Sequence, residues 1–321
     1  MSDGAIVVFG GSGFVGTHLV RRLKRLEPDR PVIIFDRRAP KTLPGGVQFI
    51  EGDVRRSGSF ELPDNVSQIY NLAAVHTTPG HPTHEYYETN VLGALNITEY
   101  ARRHGINSIL FTSSISVYGP SEQTKSEHTP VAPESAYGWS KWLAEEIHRS
   151  WLAEKSERRL VVCRPAVIFG PGEGGNFTRL ASLLKRGIFV YPGRKDTIKA
   201  CFYVEDLIQT FEYALKHESR YILYNGCYPD RYTLQDIVET FRKNHFPGVK
   251  TILVPKTIML AAAAALRPAS AAGLGIHPDR IMKLVRSTDI TPGWLQEQNQ
   301  AKNGQLSGAI DRWHEQSPTF I

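Results

Sequence analysis

Ala5-Ile6-Val7-Val8-Phe9 runs without a break into Gly10-Gly11-Ser12-Gly13-Phe14-Val15-Gly16, and the fold follows from how these residues must lie. A continuous apolar run with no polar alternation describes a strand covered on both faces, as in a parallel sheet. Beyond the glycines, Val15, Leu19, Leu23 and Leu26 form one stripe at helical spacing, so the glycine turn joins a strand to a helix. Gly10 permits a tight turn, Gly13 lets a phosphate come against the backbone, and Gly16 lets the helix pack close to the strand. The first helical turn, with Phe14 and Val15, offers free amides and a partial positive charge. Glycines spaced this way between strand and helix point to a bound dinucleotide.

Working outward, apolar runs recur at 32–36, 47–52, 68–74, 108–113, 160–164 and 221–225, and most are continuous. Between them, 17–26, 90–104 and 137–151 carry apolar residues at helical spacing. Strand and helix in alternation predict an α/β fold, a doubly wound parallel-sheet Rossmann domain. After Gly170 the texture changes to a Gly-rich loop, and from Cys227 helices mix with Pro and Gly breaks. The expected division is 1–170 plus about 200–225 for a dinucleotide-binding domain carrying the catalytic residues. The stretches 171–199 and 226–321 form a smaller, mixed C-terminal substrate-binding lobe.

Composition narrows the class. Of 321 residues, 41% are hydrophobic and 22% charged, which excludes a disordered or fibrous chain. The net charge of +6 is modest, and the longest basic cluster, 21–25, reads as the wet face of the first helix. No nucleic-acid partner is expected. Cys163, Cys201 and Cys227 cannot all pair and lack metal-ligand spacing, so reduced thiols, a cytoplasmic location and no metal are expected. No signal peptide is expected at the N-terminus. The alanine-rich stretch 257–266 is shorter than the roughly 20 residues of a membrane span and reads as a buried or oligomer-facing helix.

Cofactor and catalytic residues follow from position. Val32-Ile33-Ile34-Phe35 ends at Asp36, 20 residues beyond Gly16, where a carboxylate accepts hydrogen bonds from an adenosine ribose and favours NAD. Arg37 and Arg38 leave NADP open, since an arginine can hold a 2′-phosphate. Gly52-Asp53-Val54 places a second carboxylate beside the adenine. Tyr137 and Lys141 are four apart and share a helical face. A cation near a phenol favours the phenolate and lowers its pKa, and such a tyrosine exchanges a proton with a hydroxyl or carbonyl while hydride moves. The strand 109–111 ends in Thr112-Ser113-Ser114, placing hydroxyls at the carboxyl edge where ligands bind in such sheets.

These pieces together resemble an extended short-chain dehydrogenase/reductase, the group of sugar-nucleotide epimerases, dehydratases and 4-keto reductases. The resemblance rests on the Gly10/Gly13/Gly16 turn, Asp36, Gly52-Asp53-Val54, Asn71-Leu72-Ala73-Ala74, Asn90-Val91-Leu92-Gly93, Ser113-Ser114, Tyr137/Lys141, Arg164-Pro165 and Tyr203-Val204-Glu205-Asp206-Leu207. It implies that Ser114 orients substrate, that Tyr137 transfers the proton, and that Lys141 holds the nicotinamide ribose and tunes the phenol. It further implies cofactor contacts at Arg37, Val54, Leu72, Ala73, Ala74, Asn90 and Pro165, and a homodimer built from the 90–104 and 137–151 helices.

The resemblance also limits the reaction. Dehydratases of the family carry an acid pair directly after the hydroxyl residue; here those positions are Ile115 and Ser116, so 4,6-dehydration is not expected. Hydride transfer at C4 of a nucleoside-diphosphate sugar remains, as epimerisation or as 4-keto reduction, in the service of polysaccharide biosynthesis. Asn176, Lys199 and Arg286 are the expected diphosphate contacts, Lys199 standing where many relatives have an arginine, and His76 is a further candidate against the substrate. A hydroxysteroid-type dehydrogenase and a non-catalytic dinucleotide sensor are the alternatives.

Overall fold

The computed structural model describes residues 4–56, 58, 60–77, 80–255, 257 and 286–321. The alanine-rich stretch after Thr257, expected as a helix, lies outside the described residues. In chain order the first elements are β1 (Ala5–Phe9), α1 (Phe14–Leu26), β2 (Val32–Asp36), β3 (Val47–Glu51), β4 (Val66–Asn71), α2 (Thr83–Tyr86), a π-helical segment (Tyr87–Leu92) and α3 (Gly93–Arg103). There follow β5 (Ser108–Thr112), a 3-10 turn (Ile115–Tyr118), β6 (Ser121–Lys125), α4 (Ala136–Ala153), β7 (Arg159–Pro165), β8 (Val167–Phe169) and α5 (Asn176–Lys185). The chain continues through β9 (Ile188–Gly193), β10 (Cys201–Tyr203), α6 (Val204–Lys216), β11 (Tyr221–Gly226), α7 (Leu234–Asn244) and β12 (Lys250–Pro255). Beyond the undescribed stretch come β13 (Thr288–Ile290), α8 (Gly293–Glu297) and α9 (Gln305–Gln316).

Two compact units result. The first comprises Met1–Gly119, Thr129–Pro165 and Val204–Gly226; the second comprises Pro120–His128, Ala166–Tyr203 and Cys227–Ile321. Residues 120–128 group with the second because β6 pairs with β13.

The first unit is built on a seven-stranded sheet in the order β3-β2-β1-β4-β5-β7-β11, parallel throughout. Its strands lie where the continuous apolar runs put them. The chain leaves β1 in one direction for β2 and β3, then crosses back to β4, which makes the β1/β4 carboxyl edge the switch point where such sheets bind ligands. A core cluster containing Val7, Phe9, Phe35, Ile97, Phe111, Trp151 and Val162 is buried in this unit, and Phe60 packs against Phe9 and Phe35 with ring centroids 5.3 and 5.0 Å apart. Helix α1 buries Gly16, Leu19, Val20 and Leu23. Leu26, assigned to that stripe from spacing, is 48% exposed: it keeps the stripe's angle but is the last residue of the helix, at the rim of the packed face.

The second unit holds three short parallel pairs, β8/β10, β9/β12 and β6/β13. Its interior is aromatic. Phe169 stacks on Phe177 at 4.4 Å, and Phe320 meets Trp313 at 5.1 Å and Phe241 at 5.3 Å. Trp313 is fully buried. Trp313→Ala is expected to cost about 3–5 kcal/mol, read as a lowered midpoint in urea unfolding; an unchanged midpoint would mean that this cluster does not hold the unit.

Candidate active site

Gly10 has a φ of +78° and comes so close to the β4 exit that an added Cβ would stand 2.7 Å from Ala73 N and 2.8 Å from Leu72 C. A Cβ on Gly16 would stand 2.6 Å from Gly10 O. Together these contacts bring the ends of β1 and β4 and the start of α1 into one turn. Helix α1 follows Gly13 as its N-cap residue, with no capping side chain and no acid in its first turn, so Phe14 and Val15 open a helix whose leading amides favour an anion. Beside them the buried Ser12 hydroxyl has no hydrogen-bond partner. An uncapped, positively polarised turn with an orphaned hydroxyl fits a pyrophosphate.

Two carboxylates border this turn, and their surroundings differ. Asp36, half-buried at the end of β2, accepts from Ser12 N at 3.1 Å and Arg38 N at 3.4 Å. Asp53 is clasped by Arg55, whose Nε lies 3.0 Å from both oxygens and whose Nη2 lies 2.6 Å from Oδ2. That hydrogen bonding holds its carboxyl below the usual range. The exposed Arg37 turns toward Asp53, with Nε 3.6 Å from Oδ2. Asp36 therefore keeps the freer carboxylate of the two. Val54 is buried against Gly93, and its carbonyl accepts from Asn96 at 2.8 Å. Leu72, Ala73 and Ala74 follow β4, half-buried, and Pro165 ends β7.

The structure brings Ser114, Tyr137 and Lys141 together. Ser114 caps the 3-10 turn, accepting from Ser116 N and donating to Ser116 Oγ, both at 3.1 Å. Ser135 caps α4 by accepting from Gly138 N at 3.0 Å, which starts the helix one residue before Tyr137. Burial pushes the Tyr137 phenol above its ordinary pKa, and a hydrogen bond with Ser114 draws it partly back. The expectation that the lysine would hold this phenol low is thus corrected. Spacing gave the shared face but not the burial, which is the larger effect. Lys141 is itself 1% exposed, with Nζ 4.5 Å from the Phe111 ring centroid. Burial pulls it down to about 7, against the raising effect of the Glu145 charge.

Asn90 braces this group from the π-helical segment, a distortion that recurs at functional sites. Its Oδ1 accepts from Val75 N at 2.9 Å, and its Nδ2 donates to Val75 O at 3.1 Å and Ser140 Oγ at 2.8 Å. Ser140 in turn donates to Tyr137 O at 2.9 Å. Sequence reasoning missed His148, also on α4. Its Nδ1 lies 2.7 Å from Ala144 O and must donate there, leaving Nε2 to accept from Asn71 Nδ2 at 3.3 Å. Its ring stacks on Phe111 at 4.3 Å, and burial pulls it down to about 4, so it is neutral. Continuing the helical spacing from Lys141 to Glu145 and His148 would have found both. His76 follows β4 with an exposed edge; packing around its ring pushes its pKa down, and the Lys141 charge adds to that.

In the second unit, Lys199 Nζ donates to Arg286 O at 2.6 Å, so these two expected contacts meet. Burial pulls Lys199 down to about 8, while Arg286 is exposed. Asn176 is the exposed first residue of α5. Sequence reasoning missed Glu173 beside it, whose carboxylate accepts from Phe177 N at 3.3 Å and from Thr178 N and Oγ1 at 2.9 and 2.7 Å. The helix start expected to meet a diphosphate is therefore capped by the chain's own acid. Among the described residues no group of His, Cys, Asp and Glu could hold a metal ion, and no helix is long and apolar enough to cross a membrane. The three cysteines are buried and form no disulfide.

Residues 6–225 match the family described as the NAD dependent epimerase/dehydratase family. The chain is 34% identical over 70% of its length, and 67% of the relative's, to the N-acetyl-alpha-D-glucosaminyl-diphospho-ditrans,octacis-undecaprenol 4-epimerase of Escherichia coli O157:H7. It is 34% identical to the UDP-glucose 4-epimerase of Vibrio cholerae over 57% of its own length, spanning 58% of that enzyme. Among solved structures, the ADP-L-glycero-D-manno-heptose-6-epimerase of Helicobacter pylori superposes with a TM-score of 0.76 at 18% identity, covering 98% of this chain and 96% of the other, a likeness of fold.

The depressed Lys141 has a consequence for stability. In the unfolded chain a lysine titrates at about 10.4, and in the folded protein Lys141 titrates at about 7. Between those values the unfolded state binds a proton that the folded state does not, so stability rises with pH across that window, and the full cost is present below it. Lys141→Met is expected to be more thermostable than the parent protein by a margin that narrows as pH is raised from 7 to 10. Melting curves of both proteins across that range check it; a constant margin would contradict it.

Proposed function

Because the chain belongs to the NAD dependent epimerase/dehydratase family, whose cofactor is NAD, we propose that it epimerises a nucleoside-diphosphate sugar at C4 by reversible hydride transfer. The observation that supports this reading is that Ser114 hydrogen-bonds the Tyr137 phenol while Lys141 lies buried one helical turn on. NAD, when bound, supplies a hydride acceptor and donor. The turn of Gly10, Gly13 and Gly16, with Phe14 and Val15, would hold its pyrophosphate and Asp36 its adenosine ribose. Arg37, Asp53 and Val54 would lie by the adenine, and Leu72, Ala73, Ala74, Asn90, Lys141 and Pro165 would line the way to the nicotinamide.

Tyr137 carries the proton. Its raised pKa keeps that proton on the phenol in the resting protein, ready for a 4-keto oxygen. The opposite step, taking a proton from the 4-hydroxyl, needs the phenolate, which the Lys141 ammonium favours. Ser114 orients the reacting oxygen. Ile115 and Ser116 follow it where a dehydratase needs an acid pair, which favours epimerisation or ketone reduction over loss of water. Lys199, Arg286 and Asn176 would meet the diphosphate and His76 the sugar side. The Escherichia coli relative supports a second reading, in which the same sugar diphosphate is carried on a polyprenol. Three buried thiols that form no disulfide support a reducing, cytoplasmic setting.

Exposed Leu92, Leu95, Trp139 and Leu143 lie on the π-helical segment, α3 and α4 and support a homodimer through these helices. Leu95→Asp with Leu143→Asp is expected to halve the mass measured by light scattering; a mass unchanged by the pair places the interface elsewhere.

The activity test incubates the purified protein with UDP-glucose, UDP-N-acetylglucosamine and an N-acetylglucosaminyl-diphosphoprenol. Isomer formation without net nicotinamide turnover is expected. Stoichiometric NADH consumption when a 4-keto sugar nucleotide is supplied instead would make it a reductase, and NAD-dependent turnover of an added hydroxysteroid a hydroxysteroid-type dehydrogenase. NAD binding without turnover of any of these would make it a sensor. Tyr137→Phe should lower isomerisation by about 10²–10⁴-fold and leave NAD affinity unchanged.

A further inference from the structure

Beside the proposed reacting groups, on the same unit, lies a buried ionic network that neighbours Ser114 along the chain and Lys141 along α4. Glu145, on α4, is fully buried and Arg164, near the end of β7, is 2% exposed. Arg164 Nε and Nη2 donate to Glu145 Oε1 and Oε2 at 2.9 and 2.7 Å, a bidentate fork. Oε1 also accepts from Ser113 Oγ at 2.5 Å. The remaining guanidinium arm, Nη1, donates to Tyr118 OH at 2.8 Å, and Tyr118 donates to Asn225 Oδ1 at 2.9 Å. One acid thus ties together α4, the end of β5, the 3-10 turn and the ends of β7 and β11.

The chain positions give this network its meaning. Ser113 precedes Ser114, Arg164 precedes Pro165, and Glu145 follows Lys141 by one turn of α4. A buried ion pair loses much of its attraction to desolvation, and apolar residues of similar volume often replace one at little cost in stability. What apolar packing cannot reproduce is the planar fork, which fixes direction as well as distance. We propose that Glu145 and Arg164 are positioning residues, which hold Ser114 and Lys141 in register with Tyr137 through Ser113 and α4. The inference rests on the reading of Ser114, Tyr137 and Lys141 as the reacting groups.

Glu145 also carries the negative charge nearest Lys141 along α4. The groups around that lysine are Tyr137 and Glu145, each one turn away on α4, His148 on α4, Phe111 on β5 and His76 after β4, with Arg164 on β7 bound to Glu145. His148 is neutral, Arg164 is already paired, and Arg149 lies 3.8 Å from Glu145 on its other side. Of these groups Glu145 alone raises the lysine's proton affinity. Removing its charge should lower the pH at which Lys141 loses its proton.

Three proteins test this: Glu145→Gln, the apolar double variant Glu145→Leu/Arg164→Met, and Glu239→Gln as a control on the exposed Glu239–Arg242 pair of α7. The Lys141 titration is followed by the ε-carbon NMR signal of lysine-labelled protein, assigned by its loss in Lys141→Met, and needs no substrate. Its midpoint should move to lower pH in Glu145→Gln and stay put in Glu239→Gln; the same midpoint in both overturns the electrostatic half. The double variant should melt no lower than Glu145→Gln, yet turn over at least about tenfold more slowly than the parent, as misplacement of a reacting group does. Turnover restored along with stability would make the network structural only. If the parent protein turns over no sugar diphosphate, the proposed activity fails, while the titration still decides whether Glu145 sets the charge of Lys141.

Discussion

A parallel sheet cannot turn a strand directly into its neighbour, so each strand of the first unit leaves at the same edge and returns through a crossover. That constraint gathers the exits of β1, β2, β4, β5 and β7 along one line, and the glycine turn, Asp36, Leu72–Ala74, Ser114 and Pro165 all stand on it. The reversal of strand order between β1 and β4 opens the edge there. Gly10 comes close enough to Leu72 and Ala73 that no side chain could stand between them. The place for a ligand follows from topology before any side chain is considered, and side chains then decide what it holds.

Such an edge buries polar groups that must find partners. Asn71 meets His148, and Asn90 clamps both backbone groups of Val75 and reaches Ser140. Glu145 and Arg164 satisfy one another and recruit Ser113 and Tyr118. All of these lie on or against α4, the helix that carries Tyr137 and Lys141. The buried face of α4 is therefore polar over much of its length, with Ser140, Lys141, Glu145 and His148 all buried. A helix laid on a sheet by such bonds has its rotation fixed more narrowly than one laid by apolar contacts alone.

Sequence carried the strands because a strand covered on both faces is largely apolar, as β1, β2 and the middles of β5, β7 and β11 are, while β3 and β4 carry polar residues among the apolar ones. It carried the Tyr137/Lys141 pair because helical spacing alone places them on one face. It did not carry their electrostatics. Desolvation depends on what the fold stacks above the helix, such as Phe111 over Lys141, and no spacing reports that. It passed over Glu145 and His148 because an acid and a histidine in a helix ordinarily face solvent; only the buried partners Arg164 and Asn71, 19 and 77 residues away, reveal otherwise. In the second unit the Glu173 cap was hidden by its glycine-rich loop, where a carboxylate reads as one more polar residue.

The protonation states of the buried edge form a consistent set. Tyr137 keeps its proton, His148 is neutral, and Glu145 and Arg164 cancel, so the charge that varies near neutral pH is that of Lys141. A fully charged lysine buried against Phe111 would cost the fold dearly with nothing bound. Shedding the proton does not escape that cost at neutral pH, because a lysine held at about 7 must give up a proton that it keeps to about 10.4 in the unfolded chain. Burial of Lys141 is therefore a stability cost that the fold carries at the proposed reacting group.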